Sequence, residues 1–314
     1  MNNKNQDSTP HICIFMSTYN GEKYLHEQLE SIENQTHNNW RLIISDDGSN
    51  DNTLTIAKQF QKKWGNSRLE IRQGPQKGFC QNFLSMACDK TIDADFYAFS
   101  DQDDFWVADK LQRAIAYFKA SSDSQPPRAY GSRTQIVDEH LSPVGLSPEF
   151  KRKLSFRNAL IQSIAGGNTQ VFNQATKDLL EQAGAQLVVS HDWWLYQIVN
   201  GAGGIFHFDP IPSLLYRQHS NSIVGANSSF KAKVSSIFYV FNGRFKNWNN
   251  INYNALYNIR HLLTKENQDV LDIFGTLRGA HFKDRLRLLE TCGIYRQTWQ
   301  GSLSLWLAAI INKI

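Results

Sequence analysis

The sequence predicts an α/β fold with a mostly parallel central sheet flanked by helices, followed by a helical C-terminal extension. Three observations carry that prediction. Short apolar runs alternate with helical stretches through the first hundred residues. The connecting helices are 10–15 residues long, which suits right-handed strand–helix–strand crossovers. Finally, polar loops rich in Asp, Asn and Gly close the apolar runs, where open α/β sheets hold their ligands.

His11–Met16 (HICIFM) reads as the first strand, ending at Ser17-Thr18-Tyr19-Asn20-Gly21. A helix follows, with Tyr24, Leu25, Leu29 and Ile32 at helical spacing. Arg41–Ser45 is the second strand, closed by Asp46-Asp47-Gly48-Ser49-Asn50-Asp51. The third lies near Leu69–Arg72, and the fourth, Asp95–Ser100, runs into Asp101-Gln102-Asp103-Asp104 and a helix over Val107–Tyr117. Beyond Pro126-Pro127 the alternation weakens. Ala129–Val137 reads as a strand, Leu154–Ile164 as a helix ending at Gly166-Gly167, and Thr169–Phe172 as a strand. His191–Val199 reads as helical, Gly204–Phe208 and Ser213–His219 as strands, and Ala255–Leu263 and Phe282–Leu289 as helices. The polar linker Gly225–Ser229 divides a catalytic unit, residues 1–227, from the helical extension, residues 228–314.

Composition narrows the function classes. A chain of 314 residues with 41% hydrophobic and 20% charged residues is an ordinary globular protein. The four cysteines show no paired spacing, so they read as reduced thiols without a zinc site. The N-terminus lacks the apolar stretch of a signal peptide. The longest apolar uncharged run, Gln297–Asn312, has 16 residues, short of the roughly 20 needed to span a bilayer. These features predict a cytoplasmic protein. Net charge is +4, yet residues 228–314 carry twelve Lys or Arg against five Asp or Glu, leaving an acidic front part and a basic tail.

Three loops carry candidate chemistry. Ser17–Gly21 lets a backbone approach a ligand closely and offers Tyr19 as a flat face; a plain helix-capping turn would use the same residues. Asp46-Asp47-Gly48-Ser49 offers carboxylates to a base or ribose, and again a capping turn is the alternative. The third loop is more demanding. Asp101, Asp103 and Asp104 repel one another beside apolar Phe105 and Trp106, and hard oxygen ligands on a short turn suit Mg²⁺ or Mn²⁺. Downstream, Asp192 starts a helix, where a capping role is the commonest one. His219 stands alone.

Together these segments resemble glycosyltransferase family 2, inverting enzymes of the GT-A fold that use nucleotide-diphospho sugars. The resemblance covers about residues 11–225, through STYNG at 17–21, DDGSND at 46–51, SDQDDFW at 100–106, GG at 166–167, HDWW at 191–194 and YRQH at 216–219. The last two segments look most like the bacterial rhamnosyltransferase-like branch that builds cell-surface polysaccharides. The resemblance implies that Ser17, Thr18, Tyr19 and Asn20 pack on base and ribose with Glu22 at the rim. It gives Asp47 the base edge with Asp46 beside it, and puts Lys77, Gly78 and Asn82 near base or diphosphate. Asp101 and Asp103 become metal ligands, with Gln102 and Asp104 toward the donor. Gly166, Gly167 and Arg217 line the donor and acceptor pocket, Asp192 is the catalytic base, and His219 reaches the metal or diphosphate. One departure is that many relatives have Glu-Asp where this chain has His191-Asp192, so His191 does not inherit the glutamate's job.

The same resemblance implies a single displacement assisted by Mg²⁺ or Mn²⁺, with a dTDP- or UDP-linked donor (dTDP-L-rhamnose first) and a saccharide acceptor, commonly lipid-linked. One of Trp193 and Trp194 offers a face to that acceptor, or both are core. In the tail, Trp299, Leu303, Trp306, Ile310 and Ile314 fall on one helical face after the basic Lys283, Arg285, Arg287 and Arg296. That pattern predicts peripheral contact with the cytoplasmic face of the inner membrane, or docking of the stripe on protein. No nucleic-acid partner is expected. A nucleotidyltransferase is the rival from another class, but STYNG lacks its glycine-rich, basic phosphate loop.

Overall fold

The structure, a computed structural model, describes residues 9–120, 126–218 and 243–314. The main sheet is built from β1 (Ile12–Thr18), β2 (Trp40–Asp46), β3 (Leu69–Gln73), β4 (Phe96–Ser100), β6 (Arg128–Ser132), β9 (Val171–Asn173) and β10 (Ile205–Asp209). Its strand order is β10-β6-β9-β4-β1-β2-β3, parallel except for β9, which runs antiparallel to both neighbours. Side chains alternate across it with period two. Ile12, Ile14 and Met16 of β1 enter one core, with Leu42, Ile44 and Ala98. Cys13 and Phe15 enter the other, with Ile43 and Phe99. Coverage on both faces explains why these strands read as continuous apolar runs.

The first core is roofed by α1 (Leu25–Glu33), α2 (Thr53–Trp64) and α4 (Lys110–Lys119). The second is covered by α3 (Phe79–Ala87), α6 (Gln174–Ala183) and α7 (His191–Gly201). Register matters more for function than coverage does. Thr18 pairs with Asp46, Asp46 with Gln73, and Met16 with Ser100, so the loops after β1, β2, β3 and β4 leave the same edge of the sheet.

A second, four-stranded sheet, ordered β5-β11-β7-β8, stands beside that edge. It consists of β5 (Phe105–Trp106), β7 (Gln135–Val137), β8 (Pro143–Leu146) and β11 (Leu214–Arg217). The expected strand Ala129–Val137 is therefore two strands in two sheets. The chain changes sheet after Ser132, whose hydroxyl bonds the Ser213 hydroxyl at 2.6 Å. The expected helix Leu154–Ile164 shrinks to α5 (Phe156–Ala159). Gln162 is drawn instead to the C-terminal helices, where it accepts the Gln297 N–H at 2.9 Å.

Those helices are α8 (Arg244–Asn258), α9 (Lys265–Gly279), α10 (Phe282–Cys292) and α11 (Trp299–Ile310). The expected helix Ala255–Leu263 is the end of α8 plus a 3₁₀ turn at Arg260–Leu262. The C-terminal helices share one hydrophobic core with α7: Leu256, Leu271, Phe274 and Leu289 join the same cluster as Trp194 and Leu195. The expected boundary at 227/228 lies outside the described residues. No helix among the described residues is long and apolar enough to cross a membrane.

Candidate active site

The loops after β1 and β2 interlock. Asp46 is 4% exposed. Its carboxylate accepts the Thr18 hydroxyl (2.8 Å), the Ser49 hydroxyl (2.6 Å) and the N–H groups of Ser49 (2.9 Å) and Gly48 (3.2 Å). Asn20, at φ +48°, donates its N–H to the Ser49 hydroxyl and accepts the Asn50 N–H, both at 2.9 Å. Glu22 accepts both the main-chain and side-chain N–H of Asn52. Asp46, Asn20 and Glu22 thus hold the cleft wall together, and Tyr19 stands out from it, 56% exposed.

Asp47 holds the next loop. Its two oxygens accept the N–H groups of Gln76 (2.7 Å) and Gly78 (2.8 Å), leaving Lys77 exposed between them. Asn82 is fully buried, donating to Ser17 Oγ and the Ser45 carbonyl at 2.7 Å each. It fastens β1 to β2 from beneath, with its amide oxygen beside a carboxylate oxygen of Asp47 under the loop at Gly74.

The acid turn closes on the first loop through Gln102. The Gln102 side chain accepts the Tyr19 N–H at 2.9 Å and donates to the Tyr19 carbonyl at 3.0 Å. Gly21 lies opposite, where a Cβ would meet Gln102 Oε1 at 2.2 Å and push that side chain off the Tyr19 main chain. Withdrawal from water, followed by the charges of Asp103 and Asp192, pushes the Asp101 carboxyl up to about 7. Asp104 is raised well above the ordinary carboxylate range by burial and by Asp103 and Asp101, although its bond from the Asn168 amide (2.6 Å) works the other way. Arg217 donates to the Asp103 carbonyl at 3.1 Å and to Glu27 at 2.6 Å, with its guanidinium over the Tyr24 ring. It is 2% exposed, so it braces the turn and does not line a pocket.

The third component is the start of α7. Gln170 donates to the carbonyls of Ala165 (3.0 Å) and Asp192 (3.1 Å), tying the glycine loop to the helix. Asp192 is half-buried, its Oδ1 accepting the Trp193 N–H at 2.7 Å, and its charge reaches Asp101. Trp193 and Trp194 are 5% and 0% exposed, and Trp193 donates its indole N–H to the Ala159 carbonyl. Both are core, so neither offers a face to an acceptor.

Sequence reasoning missed three residues here and left a fourth, His191, without a role. His191 is buried beneath Gly167, Lys110 and Asn168 lie behind the acid turn, and Tyr216 sits beside it. Burial holds the Tyr216 phenol well above its ordinary range, and the charges of Asp104, Asp101, Asp103 and Asp192 push the same way. Its place in the YRQH segment was the available signal. His219 lies outside the described residues.

The acid turn suits a divalent cation by chemistry. Its oxygens are hard ligands, and their mutual repulsion is what a cation relieves. The described residues hold no group of three or more His, Cys, Asp or Glu arranged to hold an ion by themselves. Any ion held at this turn would need the rest of its shell from elsewhere, such as substrate phosphate and water.

The carboxyl edge of the α/β sheet gathers an exposed tyrosine loop, an acid turn and a helix-borne aspartate, a layout that suits a transferase. Residues 13–180 match the family described as "Glycosyl transferase family 2". The chain belongs to that family and is a glycosyltransferase. It is 35% identical over 243 residues to the dTDP-rhamnosyl transferase RfbG of Shigella flexneri, covering 72% of this chain and 79% of that one. It is 31% identical over 105 residues to an Escherichia coli protein, UDP-Glc:alpha-D-GlcNAc-diphosphoundecaprenol beta-1,3-glucosyltransferase WfgD, covering 33% of this chain and 40% of that one. Among solved structures, S. aureus TarS 1-349 in complex with UDP-GlcNAc superposes with a TM-score of 0.54 at 16% identity, covering 96% of this chain and 89% of that one. That likeness supports the GT-A fold.

Proposed function

We propose that the protein transfers a sugar with inversion, L-rhamnose from dTDP-L-rhamnose first, to a saccharide hydroxyl in the synthesis of a bacterial cell-surface polysaccharide. The observation that carries the transfer chemistry is the convergence of the acid turn and Asp192 at one end of the sheet, close enough for the charge of Asp192 to reach Asp101. The rhamnose donor is supported by the relative named a dTDP-rhamnosyl transferase, which matches 72% of the chain. A UDP-linked hexose or N-acetylhexosamine donor is the second reading, supported by the relative and the structural neighbour whose names carry UDP sugars.

In this reading Tyr19 stacks on the base, with Thr18 and Asn20 shaping the ribose side and the free lone pairs of Asp47 meeting the base edge. Lys77 and the main chain at Gly78 lie toward the diphosphate. Asp101 and Asp103 would hold Mg²⁺ or Mn²⁺, which when bound offsets charge developing on the departing diphosphate. Asp104 lies on the donor-sugar side of the turn, and the main chain at Gly166 and Gly167 borders the donor and acceptor pocket. Asp192 takes the proton from the acceptor hydroxyl as that oxygen attacks the anomeric carbon. The C–O bond to the diphosphate breaks on the opposite face, so the configuration inverts.

The test is a hydrolysis and transfer screen across dTDP-, UDP- and GDP-sugars with Mn²⁺, Mg²⁺ or chelator. Turnover of dTDP-L-rhamnose dependent on a divalent ion is the expected result. Turnover of UDP-sugars alone would replace the donor, and undiminished turnover in chelator would remove the metal. Peripheral contact with the cytoplasmic face of the inner membrane belongs to the same reading. It rests on α11, which docks through Leu305, Ala308 and Ala309 and turns Trp299, Leu303, Trp306 and Ile310 outward.

A further inference from the structure

Behind the acid turn lies a charge with no part in the transfer as described. Lys110, the first residue of α4, is fully buried. Its ammonium donates to the main-chain carbonyl of Asn168 and lies 4.0 Å from the Trp106 ring centroid. Burial pulls its pKa down to about 7, Arg113 one turn along its own helix acts in the same direction, and the charges of Asp104 and Asp101 work against both to keep the proton on. A buried ammonium without opposite charge nearby is strongly unfavourable, so the acid turn and the lysine stabilise each other. Asn168 adds a second tie: its side-chain amide donates to Asp104 Oδ2 at 2.6 Å, and it is 3% exposed. Gly166 makes room for that side chain, since a Cβ there would lie 2.7 Å from Asn168 Oδ1.

We propose that Lys110 and Asn168 are positioning residues for the transfer: the ammonium is the internal counter-ion of the acid turn, and Asn168 relays its hold to Asp104, fixing that carboxylate against the glycine loop. The inference rests on the reading of the acid turn as the cation and diphosphate end of the site. Its consequence is electrostatic. Without the ammonium the turn gains net negative charge, so a bare cation binds more tightly even as the geometry for transfer is lost.

The experiment titrates the full-length protein with Mn²⁺ alone, following free Mn²⁺ by electron paramagnetic resonance, alongside kcat and KM for the donor. In Lys110→Met, Mn²⁺ binding should tighten by about threefold or more while kcat falls about tenfold. Asn168→Ala, which keeps the ammonium, should hold Mn²⁺ affinity within about twofold, lower kcat about tenfold and leave donor KM nearly unchanged. If wild type binds Mn²⁺ and Lys110→Met binds it equally or more weakly, the counter-ion role is overturned while the cation reading stands. If wild type binds none, both fall. Should Lys110→Met fail to fold, Asn168→Ala decides, and wild-type kcat in that variant overturns the relay.

Discussion

A Cβ on Gly167 would lie 2.1 Å from Nε2 of His191, so the glycine loop and the first residue of α7 fit together only because residue 167 has no side chain. The imidazole cannot step aside. It stacks on Phe83 at 4.0 Å and meets the edge of Phe99 at 4.8 Å. Gly167→Ala should therefore force the ring or the loop to move and destabilise the protein by about 1–3 kcal/mol, the usual range for overpacking. Urea unfolding measures this. A wild-type midpoint would mean that the loop relaxes freely and does not fix the position of Asp192.

The same histidine makes stability depend on pH. Neither ring nitrogen has a hydrogen-bond partner among the described residues, and burial lowers its pKa from 6.5 to about 4. Between those values the unfolded chain binds the proton and the folded one does not, so the contribution is full above pH 6.5 and declines as pH falls toward 4. The loss should approach roughly 3 kcal/mol at its acid limit. His191→Leu, close in volume and without a proton to bind, should unfold near the wild-type midpoint at pH 7.5 and lose less stability by pH 4.5. Parallel acid limbs for the two proteins would assign the loss to other groups.

Asp192 separates binding from chemistry. Its carboxylate bonds only the N–H of its own neighbour among the described hydrogen bonds, so Asp192→Asn leaves the surrounding structure intact. Donor binding should be retained, while kcat falls by about 10²–10⁴, the usual worth of a positioned general base. A calorimetric titration with dTDP alongside steady-state kinetics gives both numbers. Near-wild-type kcat would remove Asp192 from the role.

The strands of the main sheet were legible because burial on both faces leaves an unmistakable apolar signature, as in HICIFM. The cleft loops were legible because each sits at a strand's carboxyl end. What the sequence hid is tertiary. Nothing local distinguishes Lys110 from the surface lysines of other helices, yet it is buried against Asn168, 58 positions away. Arg217 reads as a pocket residue and braces the acid turn from inside, and Asn82 reads as a cleft residue while its bonds to Ser17 and Ser45 also tie two strands together. The division of Ala129–Val137 between two sheets also depends on a partner outside the segment, Ser213. Helix α9 escaped notice because its buried Val270, Leu271, Phe274 and Leu277 are interleaved with a strongly polar face.

The C-terminal helix gives the last prediction. The expected apolar stripe is real but it does not dock: Trp299 is 72% and Leu303 53% exposed, with Trp306, Leu307 and Ile310 beside them. The helix packs through Leu305, Ala308 and Ala309 on its other side, and of the expected outer-face residues only Ile314 is buried. Basic groups stand at both ends. Arg152 bonds the Arg296 carbonyl near the start of the helix, and Lys246 bonds the Asn312 carbonyl at its end. A tryptophan-bearing apolar stripe framed by cations matches a membrane interface with anionic headgroups, each nearby basic residue adding about 1 kcal/mol. Truncating the helix would uncover Leu305 and the core below it, so substitutions on the outer face are the cleaner test. Trp299→Ser with Trp306→Ser should leave unfolding unchanged and abolish sedimentation with phosphatidylglycerol vesicles. Wild-type sedimentation should weaken at high salt and be absent with neutral phosphatidylcholine vesicles. If the double variant sediments like wild type, the stripe is not the membrane contact. If wild type instead ignores vesicles and elutes as a dimer that the variant loses, the stripe is an interface between two copies of the chain.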